Sequence, residues 1–87
     1  MILMQERLKQ AIELINQILE DRTVPRNIRD HAEKAKNSLL DEEHEISVRV
    51  NKATHTFDEV SEDSNMPIYT RTQIWNIVTV LESILHK

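Results

Sequence analysis

The sequence predicts an all-α fold, a four-helix bundle built from two similar antiparallel helix hairpins. Three observations lead there. Apolar residues recur at three- and four-residue steps through most of the chain, the period of helices with one buried face. No Gly is present, which disfavours tight-turned β architecture, where positive-φ positions are routine. A register also repeats at 42 residues: Glu20-Asp21, Pro25, Arg29 and Leu39 return as Glu62-Asp63, Pro67, Arg71 and Leu81, and Ala11 matches Ala53. A period of that size holds one helix pair. The chain therefore reads as a single helical domain, 1–87, with pseudo-repeats over about 3–40 and 42–86.

The first helix, roughly residues 3–20, is marked by Leu8, Ala11, Ile12, Ile15, Ile18 and Leu19. Asp21-Arg22-Thr23-Val24 forms a turn, and Pro25 suits the first turn of the next helix, where its missing N–H costs nothing. Asp21 and Thr23 are both candidates for the cap oxygen. The second helix carries Ile28, Ala32, Ala35 and Leu39 on one stripe, and its two alanines permit close approach by another helix. Asp41 is the expected cap of the third helix, with Glu42, Glu43 and Glu45 near its positive end. That helix has a heptad-like seam of Ile46, Val50, Ala53, Phe57 and Val60. The longer helical period overrides a strand reading of Val48-Arg49-Val50. Glu62 to Met66 forms the last joint, with Asn65 as the expected cap and Pro67 opening the final helix. Ile74, Ile77, Val78, Leu81, Ile84 and Leu85 define that helix, widened by Ile68, Trp75 and Val80. It is expected to be the most hydrophobic and the most buried.

Composition excludes several functions. Cys is absent, which removes disulfides, thiolate catalysis and cysteine-ligated zinc. Without Gly there is no glycine-rich phosphate loop. Met1-Ile2-Leu3-Met4 turns polar at Gln5, too early for a signal peptide. No stretch reaches the roughly 20 apolar residues of a membrane span. A cytoplasmic location and no membrane partner are expected. Charged residues make up 30% of the chain with a formal net charge of -4, which is no basic nucleic-acid signature.

The repeated joint is read as structural. Asp21 is expected to accept N–H groups at the start of the second helix while meeting Arg29, and Asp63 to do the same with Arg71. Asp21, Pro25, Arg29, Asp63, Pro67 and Arg71 would then fix the angle between adjacent helices. Each hairpin also resembles a HEAT-type helical repeat, whose turn aspartate is followed by proline, arginine and core positions. Here these are Asp21, Pro25, Arg29, Ala32 and Leu39, then Asp63, Pro67, Arg71, Ile74 and Leu81. A closed bundle buries two such units better than an open solenoid. A more specific resemblance lies in Phe57-Asp58-Glu59-Val60-Ser61-Glu62-Asp63-Ser64-Asn65-Met66-Pro67, followed by Arg71-Thr72-Gln73-Ile74-Trp75-Asn76-Ile77-Val78. With Val24-Pro25-Arg26-Asn27-Ile28-Arg29, it resembles a small archaeal family of uncharacterised proteins catalogued as UPF family 0147, over essentially the whole chain. The resemblance implies a small four-helix fold and an archaeal cytoplasmic source. It supplies no activity, substrate or catalytic residue.

Candidate sites follow from the remaining residues. The histidines are His31, His44, His55 and His86. Asp41 with His44, and His55 with Glu59, share a helical side, but paired Glu-x-x-His segments on facing helices are missing. No metal or cofactor is expected. Eight acids between Asp41 and Asp63 face only Arg49 and Lys52, a formal -6, as in a solvated acidic surface. No nucleophile motif is present, so no catalytic residue is assigned and the chain is read as no enzyme. Arg22, Arg26, Arg29, Lys34 and Lys36 form a segment of formal charge +3 once Asp30 and Glu33 are counted. Arg22, Arg26 and Arg29 are the candidate phosphate or RNA contacts of an RNA- or ribonucleoprotein-associated alternative; an uncharacterised enzyme is the second alternative. The leading reading is a non-enzymatic protein–protein interaction or structural module. Its interface candidates are Trp75, Arg71, Val78 and Glu82. Trp75 either covers the bundle edge or anchors a partner. A homodimer would hide it together with the apolar tip Ile2, Leu3 and Met4.

Overall fold

The structure, a computed structural model, describes residues 2–85, with side chains described from Met4 onward. Ile2 and Leu3 of the expected apolar tip, and His86, lie outside the described side chains; Met4 packs partly buried against the core. Four helices follow in order: α1 (Ile2–Glu20), α2 (Arg26–Leu40), α3 (Ile46–Val60) and α4 (Ile68–Leu85). The joints between them are five, five and seven residues long, and connections this short place successive helices antiparallel. Each helix touches two neighbours, in a ring α1–α2–α3–α4–α1. The most extensive packing joins α2 to α3 and α1 to α4. The tightest seams thus run between the two hairpins rather than within them. The bundle measures 36 × 21 × 20 Å, little longer than the ~28 Å of its 19-residue first helix.

One stripe from each helix fills the centre. α1 contributes Ala11, Ile15 and Ile18, while Leu8, Ile12 and Leu19 are only partly buried at its margins. α2 contributes Ile28, Ala32, Ala35 and Leu39, the stripe read from the sequence. Small residues at its centre let the α2 backbone come close to its neighbours. α3 contributes Val50, Ala53, Phe57 and Val60, and α4 contributes Ile74, Ile77, Leu81 and Ile84. Two joint residues, Val24 and Met66, fold inward and close one end of the core.

α4 departs from the expectation that it is the most buried helix. Ile68, Tyr69 and Trp75 are all exposed, Trp75 by 74%. The reason is geometric. α4 contacts only α1 and α3, and Trp75 lies one residue past the inward stripe, which rotates it by about 100° to the outside. The reading of Trp75 as a cover for the bundle edge therefore gives way to an outward-facing side chain.

Packing this dense leaves little room for added volume. Ala35 is fully buried, and Ala35→Leu is expected to destabilise the bundle by about 1–3 kcal/mol. That corresponds to a fall in Tm of roughly 4–8 °C per kcal/mol for a domain of this size, measured by thermal unfolding followed by circular dichroism.

Candidate functional site

Every helix ends with carbonyls that have no intrahelical donor. A left-handed glycine commonly helps satisfy them. This chain has no Gly, and none of its described residues adopts positive φ. Arginines supply the donors instead. Arg49 of α3 donates from Nε (3.0 Å) and Nη2 to the Leu39 carbonyl at the end of α2. Arg71 of α4 donates from Nη1 to the Ser61 carbonyl and from Nη2 to the Asp63 carbonyl at 3.2 Å, just beyond α3. Arg7 of α1 donates from Nη1 to the Ser83 carbonyl near the end of α4, at 3.0 Å. Each guanidinium also places positive charge at the negative end of a helix dipole. The expected Asp63–Arg71 clip is thus made to backbone carbonyls, because those carbonyls lack other donors and lie in reach.

Arg49 exposes a third copy of the joint that the 42-residue register conceals. Asp21, Asp41 and Asp63 are each followed eight residues later by Arg29, Arg49 and Arg71. In all three joints the aspartate Oδ1 accepts the N–H two residues on: Thr23 at 2.9 Å, Glu43 at 3.1 Å and Asn65 at 2.8 Å. In all three its carbonyl accepts the N–H three residues on, from Val24, His44 and Met66. Glu45 stands where the other joints have Pro25 and Pro67, which masked the copy. The position before it also differs: Val24 and Met66 are buried, whereas His44 is exposed.

The aspartates tie the loops rather than cap the following helices. The N-cap of α2 is Pro25 and that of α3 is Glu45, both with extended backbone and neither with a side-chain cap bond. Asp41 is the C-cap of α2, and Asn65 precedes α4 by three positions. An Asx turn spans only two residues, so its carboxylate is spent within the loop before the helix begins. The Thr23 hydroxyl, 2.6 Å away, and then the Thr23 N–H hold the Asp21 carboxyl below its ordinary value. For Asp63 the Asn65 N–H acts most strongly, followed by Asn27, whose Nδ2 donates across the bundle end at 2.9 Å. The charges of Arg71 and His31 add to that lowering.

Arg29 stands apart from this scheme. By its spacing it should reach the Leu19 carbonyl, yet its Nε is buried without a hydrogen-bond partner. It lines an open groove of about 440 Å³ with Leu19, Arg26, Asp30 and Glu33. Arg22 and Arg26 are exposed and Arg29 is half-buried. The three candidate phosphate contacts are therefore not one basic face, since two carboxylates share the groove with Arg26 and Arg29. The two histidine–carboxylate pairs form on exposed surface, His44–Asp41 at 3.6 Å and His55–Glu59 at 3.7 Å. Among the described residues, no three His, Asp or Glu side chains converge as a metal site would need.

The second constellation is the outer face of α4. Ile68, Thr72, Trp75, Thr79 and Glu82 follow at steps of four, three, four and three, and all are exposed. Tyr69 and Asn76 flank them. Between Ser64 and Leu81 the only charged residue is Arg71, so this face is sparsely charged, with Glu82 at its far end, in a chain where 30% of residues carry charge. Of the four interface candidates, Trp75 and Glu82 lie on it. Arg71 sits at its edge with its guanidinium drawn back to Ser61 and Asp63, and Val78 leans partly buried against the core. Ile68 was read from the sequence only as widening the apolar surface of α4, and Tyr69, Thr72 and Thr79 were not singled out. Their signal was the same helical spacing from Trp75, read outward instead of inward.

The fold and this face define a short-loop all-α bundle whose last helix exposes Ile68, Tyr69 and Trp75 and which has, among the described residues, no helix long and apolar enough to cross a membrane. The sequence pattern described as "Uncharacterised protein family (UPF0147)" matches residues 1–84, and the chain belongs to that family. A UPF0147 protein of Methanocaldococcus jannaschii is 51% identical over 80 residues, covering 92% of this chain and 86% of the relative. One from Metallosphaera sedula is 45% identical, covering 92% and 90%. Two crystal structures share the fold. MMP1188, a protein of unknown function, superposes with a TM-score of 0.89 at 52% identity, covering 91% of this chain and 90% of that one. A UPF0147 protein of Thermoplasma acidophilum gives 0.92 at 27% identity, covering 97% and 99%. The family is archaeal and uncharacterised, and none of these names carries an activity.

Two outcomes test the joints. Arg49 is half-buried and makes two bonds to one carbonyl, so Arg49→Ala should lower stability by about 1–2 kcal/mol, read from urea unfolding midpoints. Arg49→Lys, which lacks the planar fork, should recover only part of it. The lowered carboxyls of Asp21 and Asp63 favour the folded state wherever they are ionised. Their contribution is complete above the unfolded-chain value near pH 3.9 and is lost as pH falls through the lower folded values. Asp21→Asn with Asp63→Asn should therefore flatten the acid limb of the stability profile below about pH 4 and leave its shape near neutrality unchanged.

Proposed function

We propose that this protein is a non-enzymatic protein–protein interaction module of the archaeal cytoplasm that docks through the outer face of α4. The observation that carries the reading is Trp75: 74% exposed, near the middle of an 18-residue helix, on a face whose charges, Arg71 and Glu82, lie at its edge and its far end. Tryptophan is enriched among residues that dominate binding energy, because its large apolar area gains most from being covered. Ile68 and Tyr69, also exposed, extend that area along the helix. Large apolar side chains exposed together along one helix face mark an interaction surface more often than a bare solvent face. An RNA-binding reading has less support, since Asp30 and Glu33 share the groove that Arg26 and Arg29 line together. A phosphate there would meet carboxylates as well as guanidiniums.

The test is partner capture from archaeal extract by the full chain and by Trp75→Glu, each with and without nuclease. Trp75 is 74% exposed, so the substitution should shift stability by no more than about 0.5 kcal/mol. Capture that survives nuclease and is lost in Trp75→Glu is the expected result. Capture that vanishes with nuclease, or is unchanged by the substitution, would replace this reading, the former by the RNA alternative.

A further inference from the structure

We infer that the outer face of α4 is the dimerisation surface of this protein: a second copy docks on it antiparallel, with the two-fold axis at Trp75. This rests on the interaction reading above and names its partner. The face has the geometry of a self-complementary seam. Ile68, Thr72, Trp75, Thr79 and Glu82 repeat at four- and three-residue steps, the spacing by which two helices interlock. Reversed about Trp75, the ends of the seam map onto each other and its middle does so to within one residue. Trp75 meets Trp75, Ile68 meets Glu82 of the second copy, and Thr72, three residues from the axis, lies within one residue of that copy's Thr79, four residues from it. An isologous two-fold contact requires such self-mapping.

Charge selects the antiparallel arrangement. The first turn of α4 contains no acidic residue, although free N–H groups make a helix start electropositive. It also contains Arg71. The antiparallel seam brings Glu82 of each copy to the α4 start of the other. A parallel seam would place Glu82 on Glu82 and align the two helix dipoles, both unfavourable. Between Ile68 and Glu82 the seam positions themselves carry no charge, so the one seam ion that pairing covers is Glu82, at the rim beside the helix start of the second copy.

The polar groups on the seam are also prepared for burial. The Thr72 hydroxyl donates to the Ile68 carbonyl at 3.3 Å, and the Thr79 hydroxyl donates to the Trp75 carbonyl at 2.9 Å. Each threonine satisfies its hydroxyl on its own helix, so covering it strands no donor. The area is sufficient for a weak specific contact. Trp75 and Tyr69 are 74% and 67% exposed, and large aromatics cover roughly 150–250 Å² each. With Ile68 and the seam threonines the face offers on the order of 500 Å² per copy, about 1,000 Å² in the pair, the lower bound for a specific interface. A dimer in roughly the micromolar range is the expected strength.

Sedimentation equilibrium of the full chain over a concentration series tests this directly. The expected result is a reversible monomer–dimer equilibrium, with a blue shift in the fluorescence of the single Trp as the dimer forms. Trp75→Glu should be monomeric throughout while keeping its circular dichroism spectrum. Register is read by disulfide trapping, which the Cys-free background allows. Thr72→Cys mixed with Thr79→Cys should cross-link. Either variant alone should not, since like positions then lie roughly 10 Å apart along the axis. A chain monomeric at ~1 mM, or a dimer indifferent to Trp75→Glu, would overturn the inference. Cross-linking of each variant with itself would overturn the antiparallel register. If the chain is monomeric and Trp75→Glu still abolishes nuclease-resistant capture, the partner is a different protein and the interaction reading stands. If the substitution changes neither measurement, both readings fall.

Discussion

The structure depends on one constraint: four helices must end without glycine. The last carbonyls of a helix need donors, and the left-handed turn that often supplies them is strained for residues with a side chain. This chain keeps every described residue at negative φ and satisfies helix ends from outside. Arg49 serves α2, Arg71 serves α3 and Arg7 serves α4. Because each donor sits on a neighbouring helix, satisfying an end also fixes the position of that neighbour. End-capping and helix packing become one interaction.

The clamps run in one sense around the ring, and Arg7 closes the circuit of helices by joining the first to the last, while the α1–α2 joint, where Arg29 makes no such bond, has none among the described residues. That closure matters in a bundle whose diagonals are not in contact and whose size leaves a large fraction of its surface wet. The core itself is thin: α2 contributes two alanines among its four buried residues. Such a stripe gains close backbone approach but buries little area, so directed polar contacts at the ends set relative helix positions that a thin apolar seam would leave loose. The carboxylates of Asp21, Asp41 and Asp63 complete the joints by holding each loop in a short turn. Asn27 then bonds Asp63 and ties the two joints at that end together.

Helix positions were legible because a buried stripe imposes its period on the sequence. The α2 stripe of Ile28, Ala32, Ala35 and Leu39 is buried as read. The joints were legible only in part. The aspartates were found, but their N–H partners lie in the loops, because an Asx turn and an N-cap use the same residue types and differ only in where the helix starts. The Asp41–Arg49 copy was hidden by Glu45, which supplies the same extended backbone as proline without looking like it. The arginine targets were illegible in principle, since a backbone carbonyl has no signature in sequence. Trp75 was ambiguous for a different reason: an apolar side chain beside an apolar stripe is inward or outward by a single residue of rotation.

That rotation separates two roles within the chain. The clamps and the inward stripes fix the scaffold and make no use of the outer face of α4. Had that face only to be soluble, charged residues would serve it, as they do on α3, where Lys52, Asp58 and Glu59 are exposed. Instead it carries Ile68, Tyr69 and Trp75, and threonines whose hydroxyls turn back onto their own helix. Each of these choices is unfavourable or indifferent on a surface that stays wet, and each becomes favourable once the surface is covered. The shared joints made the two halves alike. The half that ends in α4 differs from the other by a face suited to being buried, and the proposed docking rests on that difference.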